Sequence, residues 1–345
     1  MSLLTGVSDF FGLDIGTTAI RLVDLRGGQV KALARYAYAP IDPQLAISDS
    51  KADQQKLAAA VKELVTDARI TSRNVAVGLP SQRVFTTVID MDRLSPAEMT
   101  KAIDFQADSI IPTHPDNSKI DWAVIGDSPK DSSKVEVLLT SVPNEFVEAR
   151  LDILESIGLN VIAFEPDTIA ISRAMLAPDA TQPQLILDMG NKATDLIITM
   201  NGAPRLIRSI PTGTEAILRA AIQNLSIDER QAEQFVFKFG LNKDKLEGQI
   251  YQAIVGTVDI LVTEVEKSIK FFQSRYSDTR VERIIVTGGA SSLPEFPLYI
   301  ANKFGLSVEI GNAWRNVSFS ADKQNELSSV ANHFGVAVGL AERVE

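Results

Sequence analysis

One local plan occurs twice in this chain, and it constrains the fold more than any other feature. A strand ending in Asp-x-Gly is followed by a polar turn, a second strand, a tight turn, a third strand and a helix, first at Asp14 and again at Asp188. In the first copy, Ile20 to Leu25 alternates up to Gly27-Gly28, and a strand-like run resumes from Val30 to Ala39. In the second, Leu185-Ile-Leu-Asp-Met-Gly leads to Asp195 to Met200, then Asn201-Gly202, then Arg205 to Ile210 and a helix over Thr214 to Leu225. Gly-Gly and Asn-Gly between two strand-like runs are hairpin signals, because these residues take positive φ at low cost. Asp-x-Gly alone is a common turn. Two matching hairpins downstream make chance the poorer explanation, and an internally duplicated β-β-β-α unit the better one.

The remaining segments fit around this repeat. Ser50 to Ile70 reads as a helix with Leu57, Val61, Leu64 and Val65 on one stripe, and Val75 to Leu79 as a short buried strand. Arg83 to Leu159 has another texture. It shows a strand at Val84 to Met91, then a helix opened by the capping box Ser95-Pro-Ala-Glu98. Strands follow at Trp122 to Ile125 and Val135 to Val142, and a helix from Pro143-Asn144 carries Phe146, Val147, Leu151 and Leu154. This is a small α+β module inserted into the first half. After the second copy, Ser226-Ile-Asp-Glu229 reads as a capping box opening a helix to Gly240. A long helix from Gln249 to Tyr276 carries the stripe Val258, Leu261, Val262, Val265, Ile269 and Phe272. Arg283 to Thr287 is a strand running into a glycine turn and a helix through Phe304. Val308 to Ile310 is the final strand, and Ser328 to Arg343 the final helix.

Composition excludes several chemistries. The chain has 345 residues, 34 basic and 44 acidic, for a net charge of −10. That balance opposes non-specific binding to nucleic acid and a polybasic membrane anchor. Without cysteine, and with His114 and His333 as its two histidines, it offers neither a thiol nucleophile nor a cysteine or histidine-rich metal site. The start, Met1 to Phe11, lacks the basic and apolar regions of a leader, and no apolar run approaches the ~18 residues of a membrane span. The expected location is cytoplasmic, without direct membrane insertion, any membrane role coming through a partner.

Carboxylate, hydroxyl, lysine and backbone chemistry remain. In Asp14-Ile-Gly-Thr-Thr18, Gly16 allows close backbone approach to a phosphate, Thr17 and Thr18 add hydroxyl donors, and Asp14 suits a hydrated magnesium ion. Asp188-Met-Gly190-Asn191-Lys192 is its counterpart, with Lys192 either near phosphate or a solvated turn residue. Thr287-Gly288-Gly289-Ala290-Ser291 offers a third glycine turn before a helix N-terminus, which supplies N–H donors. Glu264 and Lys267 share a helix face, either gripping a ribose and base or forming a surface ion pair.

With these residues assembled, the chain resembles the actin-like ATPase superfamily: Asp14-Ile-Gly-Thr-Thr is similar to its first phosphate motif, Asp188-Met-Gly to its second and Thr287-Gly-Gly-Ala-Ser to its adenosine motif. Glu165, in Ala163-Phe-Glu-Pro-Asp, stands where the first connecting helix begins, and Gly335 to Ala341 looks like the second, where small residues let helices cross closely. Within the superfamily the chain resembles the PilM family of type IV pilus machines. The likeness lies in Phe11-Gly-Leu-Asp-Ile-Gly-Thr-Thr and in the inserted module, with Glu98-Met-Thr-Lys-Ala-Ile and Val137-Leu-Leu-Thr-Ser-Val-Pro-Asn-Glu-Phe-Val.

The resemblance implies an α/β actin-like ATPase fold: duplicated ribonuclease H-like domains with an inserted small α+β subdomain. The implied subdomains are 1A at 1–83 and 160–183, 1C at 84–159, 2A at 184–217 and 281–345, and 2B at 218–280. It implies ATP and Mg2+ as cofactors, with Asp14 and Asp188 on the metal and Glu165 orienting a water for slow hydrolysis, if any. The nucleotide would meet Asp14, Gly16, Thr17, Thr18, Arg21, Asp188, Gly190, Asn191, Lys192, Gly213, Thr214, Glu264, Lys267, Gly288, Gly289, Ala290 and Ser291. Arg21 replaces a frequent lysine, and Asn191-Lys192 replaces small residues. The implied partners are the N-terminal cytoplasmic peptide of a PilN-like inner-membrane protein and the pilus assembly ATPase apparatus, with a homo-oligomer or ring as a further expectation. Two alternative functions stand beside this one. An FtsA-like filament-forming division protein would carry a C-terminal amphipathic membrane helix, which the ending Leu340-Ala-Glu-Arg-Val-Glu345 does not resemble. A sugar-kinase-type phosphotransferase would need a substrate aspartate, for which no convincing candidate appears.

Overall fold

The computed structural model describes residues 9–28 and 30–344. The stretch before Asp9, Gln29 and Glu345, on which the readings of leader and tail partly rest, lie outside the described residues. The chain forms two compact units: one holds the sequence up to Ala170 with Ala203–Ile207 and Val336 onward, the other Ile171–Gly202 and Arg208–Gly335.

In the first unit, β1 (Phe11–Ile15), β2 (Ala19–Arg26) and β3 (Ala32–Pro40) form the expected antiparallel run, with Gly27 at φ +106° in the second turn. The short helix α1 (Pro43–Ile47) precedes α2 (Lys51–Asp67), whose N-cap Ser50 accepts from the Asp53 N–H. Strand β4 (Asn74–Leu79) then pairs in parallel with β1. Leu57, Val61 and Leu64 of α2 pack on Phe11, Leu13, Ile20 and Leu22 of the sheet, so the stripe read from the sequence is the core face; Val65 is only half-buried.

The inserted segment contributes β5 (Phe85–Asp92), α3 (Pro96–Ile110), β6 (Ser118–Asp127) and β7 (Lys134–Pro143), the strands forming a sheet in the order β5-β7-β6. Both halves of the Ser95–Glu98 capping box are made. Met99, Ile103 and Ala107 of α3 cover Val135, Val137 and Leu139 of the sheet. Helix α4 (Asn144–Ser156) follows the sheet in sequence yet belongs elsewhere in packing. Its Leu154 and Ile153, with Leu159 beyond it, join the core around α2 and β1 instead. The residues that follow form a strand the sequence did not suggest, β8 (Asn160–Pro166), which pairs with β4 and completes a sheet ordered β3-β2-β1-β4-β8.

Helix α5 (Asp167–Met175) runs from one unit into the other. There β9 (Gln184–Met189), β10 (Thr194–Met200) and β11 (Ala203–Ile210) repeat the hairpin pattern, and Asn201 and Gly202 both take positive φ as a primed turn requires. Helices α6 (Thr214–Leu225), α7 (Glu229–Phe239) and α8 (Gln249–Arg275) follow, then β12 (Arg283–Thr287), α9 (Phe296–Phe304) and β13 (Ser307–Ile310). The second sheet is ordered β11-β10-β9-β12-β13, the same topology as the first, with Leu185, Ile186, Leu187, Ile284 and Ile285 fully buried.

Four local readings are corrected. The capping box of α7 is Asp228 with Gln231, while Ser226 takes a left-handed conformation and ends α6. On α8 the buried position is taken by Ser268 rather than the half-buried Ile269. The glycine turn after β12 opens only a single 3-10 turn, Gly289–Ser292, and α9 starts later, at Phe296. The last segment is not one helix: α10 (Gln324–Val330) is separated by a 3-10 turn, Ala331–His333, from α11 (Gly335–Ala341). The small residues of α11 do serve close packing. A Cβ on Gly339 would overlap the backbone of Ala170 in α5, and one on Gly12 the backbone of Ala337.

Candidate functional site

In the first unit, the turn between β1 and β2 is closed by a hydrogen bond from the Gly16 N–H to the Ala19 carbonyl at 3.1 Å. The antiparallel register sets Asp14 directly opposite Arg21, whose Nη1 lies 3.4 Å from its carboxylate. Asp14 is 6% exposed. Burial pushes its carboxyl above the ordinary aspartate range, against the opposing pull of Arg21. Gly16 and Thr17 are half-exposed and Thr18 is exposed. This hairpin therefore gathers a buried carboxylate, an arginine and two hydroxyls at one turn.

In the second unit, the Gly190 N–H bonds the Ala193 carbonyl at 3.0 Å, reproducing the closing bond of the first turn. The loop is supported from below. The Thr214 N–H bonds the Gly190 carbonyl and the Glu215 N–H the Asn191 carbonyl, so the first turn of α6 seats the hairpin. Gly213 permits this approach, because a Cβ there would stand 2.6 Å from the Gly190 carbonyl and overlap that of Asn191. Lys192 is exposed at the tip.

Gly288 is the other glycine the geometry demands. Its φ is +80°, and a Cβ would come within 2.5 Å of the Asp188 carboxylate. Gly288 and Gly289 are half-exposed, whereas Ala290 and Ser291 are fully buried; the Ser291 hydroxyl donates to the Gly288 carbonyl at 2.7 Å. Only the backbone glycines of that motif are thus presented at a surface. On α8, Lys267 donates to Glu264 at 2.7 Å. That hydrogen bond, with the Arg208 guanidinium beside it, holds the Glu264 carboxyl below the usual range.

Glu165 is the penultimate residue of β8, just before α5. It is 3% exposed and ion-paired with Arg343 at 2.8 Å. The sequence reading missed three residues that organise these loops. Asn332 donates to the Gly288 carbonyl and to the hydroxyls of Ser291 and Ser292, and accepts the Gly288 N–H and Thr287 hydroxyl on its carbonyl. Arg208 bonds both Glu264 and Ser268. Arg343 holds Glu165. None has a sequence signature, since each acts on residues 40 or more positions away.

Among the described residues, no cluster of three or more His, Cys, Asp or Glu is placed to hold a metal ion. An all-protein metal cage is therefore absent from them. Taken by itself, the first hairpin offers one carboxylate with a glycine and two hydroxyls, oxygen chemistry of the kind that suits a magnesium ion keeping its waters.

The architecture is found in known structures. A PilM-PilN type IV pilus biogenesis complex matches with a TM-score of 0.83 at 26% identity, over 96% of this chain and 97% of that one. Ethanolamine utilization protein EutJ from Carboxydothermus hydrogenoformans matches at 0.59 and 15% identity, over 96% and 88%. MreB5 of Spiroplasma citri bound to ADP matches at 0.57 and 13% identity, over 96% and 95%. The fold is accordingly that of the actin-like ATPases. The sequence profile of the family described as type IV pilus assembly protein PilM matches residues 12–345, and the chain belongs to that family.

Proposed function

We propose that this protein is an ATP-binding scaffold and switch of the type IV pilus assembly machine, whose partner is the N-terminal cytoplasmic peptide of a PilN-like inner-membrane protein. The observation that carries the reading is the family match over residues 12–345, joined to a similarity over 96% of the chain to a PilM-PilN complex. Its place would be cytoplasmic, at the inner face of the membrane through that partner. No helix among the described residues is long and apolar enough to cross a bilayer. Contact with the pilus assembly ATPase apparatus and assembly into a ring belong to the same proposal.

For the nucleotide, the first unit would contribute Asp14, Gly16, Thr17, Thr18 and Arg21. The second would contribute Asp188, Gly190, Asn191, Lys192, Gly213, Thr214, Glu264, Lys267, Gly288 and Gly289. Ala290 and Ser291 would act from below, shaping the turn. Magnesium at Asp14 and Asp188 would neutralise phosphate charge. Glu165 would orient water only after release from Arg343, which supports slow turnover or none. For the partner, we assign the inserted subdomain to 84–143, because α4 packs with the core of the first sheet. The test is calorimetric titration of the full chain with a synthetic PilN-like N-terminal peptide, and thermal shift with Mg-ATP for wild type and Asp188→Ala. Saturable peptide binding and a shift lost in the variant are expected. Absence of both in the wild type would sink the reading.

A further inference from the structure

Two adjacent glycines of the second unit differ in what their missing side chains leave room for. A Cβ on Gly288 would strike the Asp188 carboxylate and the Met189 carbonyl, at 2.5 and 2.6 Å. Its φ of +80° also favours glycine, so the fold alone accounts for this residue. Gly289 meets neither demand. Its φ is not positive. Beyond its chain neighbours, a Cβ there would find one atom of the described residues within 4 Å, Cε1 of His333 at 3.8 Å. That is an ordinary van der Waals distance, and alanine would fit without displacing anything. The turn is half-exposed, so Gly289 keeps open a surface space beside an imidazole that the fold does not need.

The imidazole is held there by its neighbours in the chain. Asn332 and Phe334, on either side of His333, are 7% and 1% exposed. Asn332 donates through its amide to the Gly288 carbonyl and to the Ser291 and Ser292 hydroxyls. Its main-chain carbonyl accepts the Gly288 N–H at 2.8 Å. Phe334 packs on Trp314 with ring centroids 5.4 Å apart, and the indole N–H is bonded to the Leu327 carbonyl. Of residues 331–335, His333 alone is not buried. Its main chain is thus fastened to the glycine turn on one side and to the core on the other, with the ring beside the Gly289 space. The two flanks of the turn differ in chemistry. Gly288 lies against a carboxylate, the flank for a cation and its phosphates, whereas Gly289 meets a flat ring. Flat aromatic side chains take the bases of nucleotides by stacking.

We propose that Gly289 and His333 form the seat of the nucleotide's base, with the bare backbone as its floor and the imidazole as its wall. The seat rests on the proposed nucleotide binding, and it adds His333 to the residues that touch the ligand and names the part it touches.

Two probes separate base from phosphates: Mg-ATP and Mg-tripolyphosphate, each titrated calorimetrically into the full chain. His333→Ala should weaken Mg-ATP about tenfold, within the range for one base–aromatic stack, and leave the affinity for tripolyphosphate unchanged. His333→Phe keeps a flat ring and should hold Mg-ATP affinity within about threefold of wild type. Gly289→Ala should leave the urea midpoint of the ligand-free chain unchanged or raised, since its backbone conformation suits alanine, while weakening Mg-ATP. The chain's two histidines allow a direct signature. The imidazole resonance of His333, identified as the one that survives in His114→Gln, should shift with Mg-ATP and stay in place with Mg-tripolyphosphate. Mg-ATP affinity unmoved by His333→Ala would overturn the seat and leave nucleotide binding standing. Equal losses or equal shifts with both probes would overturn it too, by placing His333 at the phosphates. A lowered midpoint for Gly289→Ala would return that glycine to the fold and remove the floor. No Mg-ATP binding by wild type would overturn the nucleotide reading and the seat together.

Discussion

The two Asp-x-Gly hairpins solve one backbone problem in the same way and then diverge. Gly16 bonds Ala19 as Gly190 bonds Ala193, at 3.1 and 3.0 Å. Across the ladder, however, Asp14 faces Arg21 and Asp188 faces Asp195. The first hairpin carries its own counter-charge and buries its carboxylate. The second leaves Asp188 half-buried and is approached by distant segments at Gly213 and Gly288, which come close because those two residues carry no side chain. Duplication therefore preserves the turn bond and not its surroundings: the first copy pairs its aspartate with an arginine across its own ladder, and the second is approached closely by two distant glycines.

The strongest test of that contrast is steric. Gly288→Ala places a Cβ against Asp188 and Met189 at a φ and ψ open essentially to glycine alone. Urea unfolding should show a loss of about 3 kcal/mol, combining backbone strain with overpacking. The first hairpin should tolerate its own change better. A Cβ on Gly16 meets Ala19 and Arg21 at 3.1 and 3.2 Å, so Gly16→Ala should lose only about 1 kcal/mol. Equal losses would mean that the two hairpins are supported alike. Gly213→Ala falls between, at about 2 kcal/mol, because it drives the start of α6 away from Gly190 and Asn191.

This contrast also separates what could be read from the sequence from what could not. The primed Asn201-Gly202 turn, the α2 stripe and most of the α8 stripe follow from local rules of φ and periodicity, so they were legible residue by residue. The α7 cap was misread because Ser226-x-x-Glu229 and Asp228-x-x-Gln231 overlap, and the αL conformation that ends α6 selects between them. The closing segment reads as one continuous helix because no proline interrupts it. The break comes where Asn332 turns its side chain and carbonyl to the Gly288 turn, a demand made 44 residues away. Glu165 was placed by analogy of position, and its partner Arg343 is 178 residues distant. Of the candidate site, the glycines and carboxylates were legible, and the residues that hold them in place were not.

An electrostatic test comes next. Burial raises the Asp14 carboxyl above its ordinary value of 3.8, so the folded chain holds that proton to higher pH than the unfolded chain does. Stability from this group is therefore greatest in acid and declines as pH rises from the ordinary aspartate value through the raised one, with no further change above it. Asp14→Asn removes the decline. Relative to wild type it should gain stability across that window and keep the gain at neutral pH, while its thermal shift with Mg-ATP disappears. Urea midpoints from pH 3.5 to 8, about half a unit apart, measure the first effect. A variant less stable than wild type at pH 7 would mean that the ion pair with Arg21 outweighs burial, and that the first hairpin is not strained toward its ligand.

The smallest effect belongs to Lys192, and it bears on whether the second hairpin makes up for the arginine it lacks. Lys192 is exposed at the tip, where a substitution has no packing to disturb, so Lys192→Ala should leave stability within about 0.5 kcal/mol of wild type. An exposed charge acting on a phosphate across water contributes at most about 1 kcal/mol, which limits the loss of Mg-ATP affinity to roughly fivefold. Raised salt should shrink even that difference, because the interaction is screened over about 10 Å at 0.1 M. Calorimetric titration at two ionic strengths reads both quantities. A fivefold loss at low salt that closes at high salt would make Lys192 the second hairpin's exposed counterpart of Arg21. Unchanged affinity at both would leave that hairpin to bind through backbone and carboxylate alone, with its lysine a solvated turn residue.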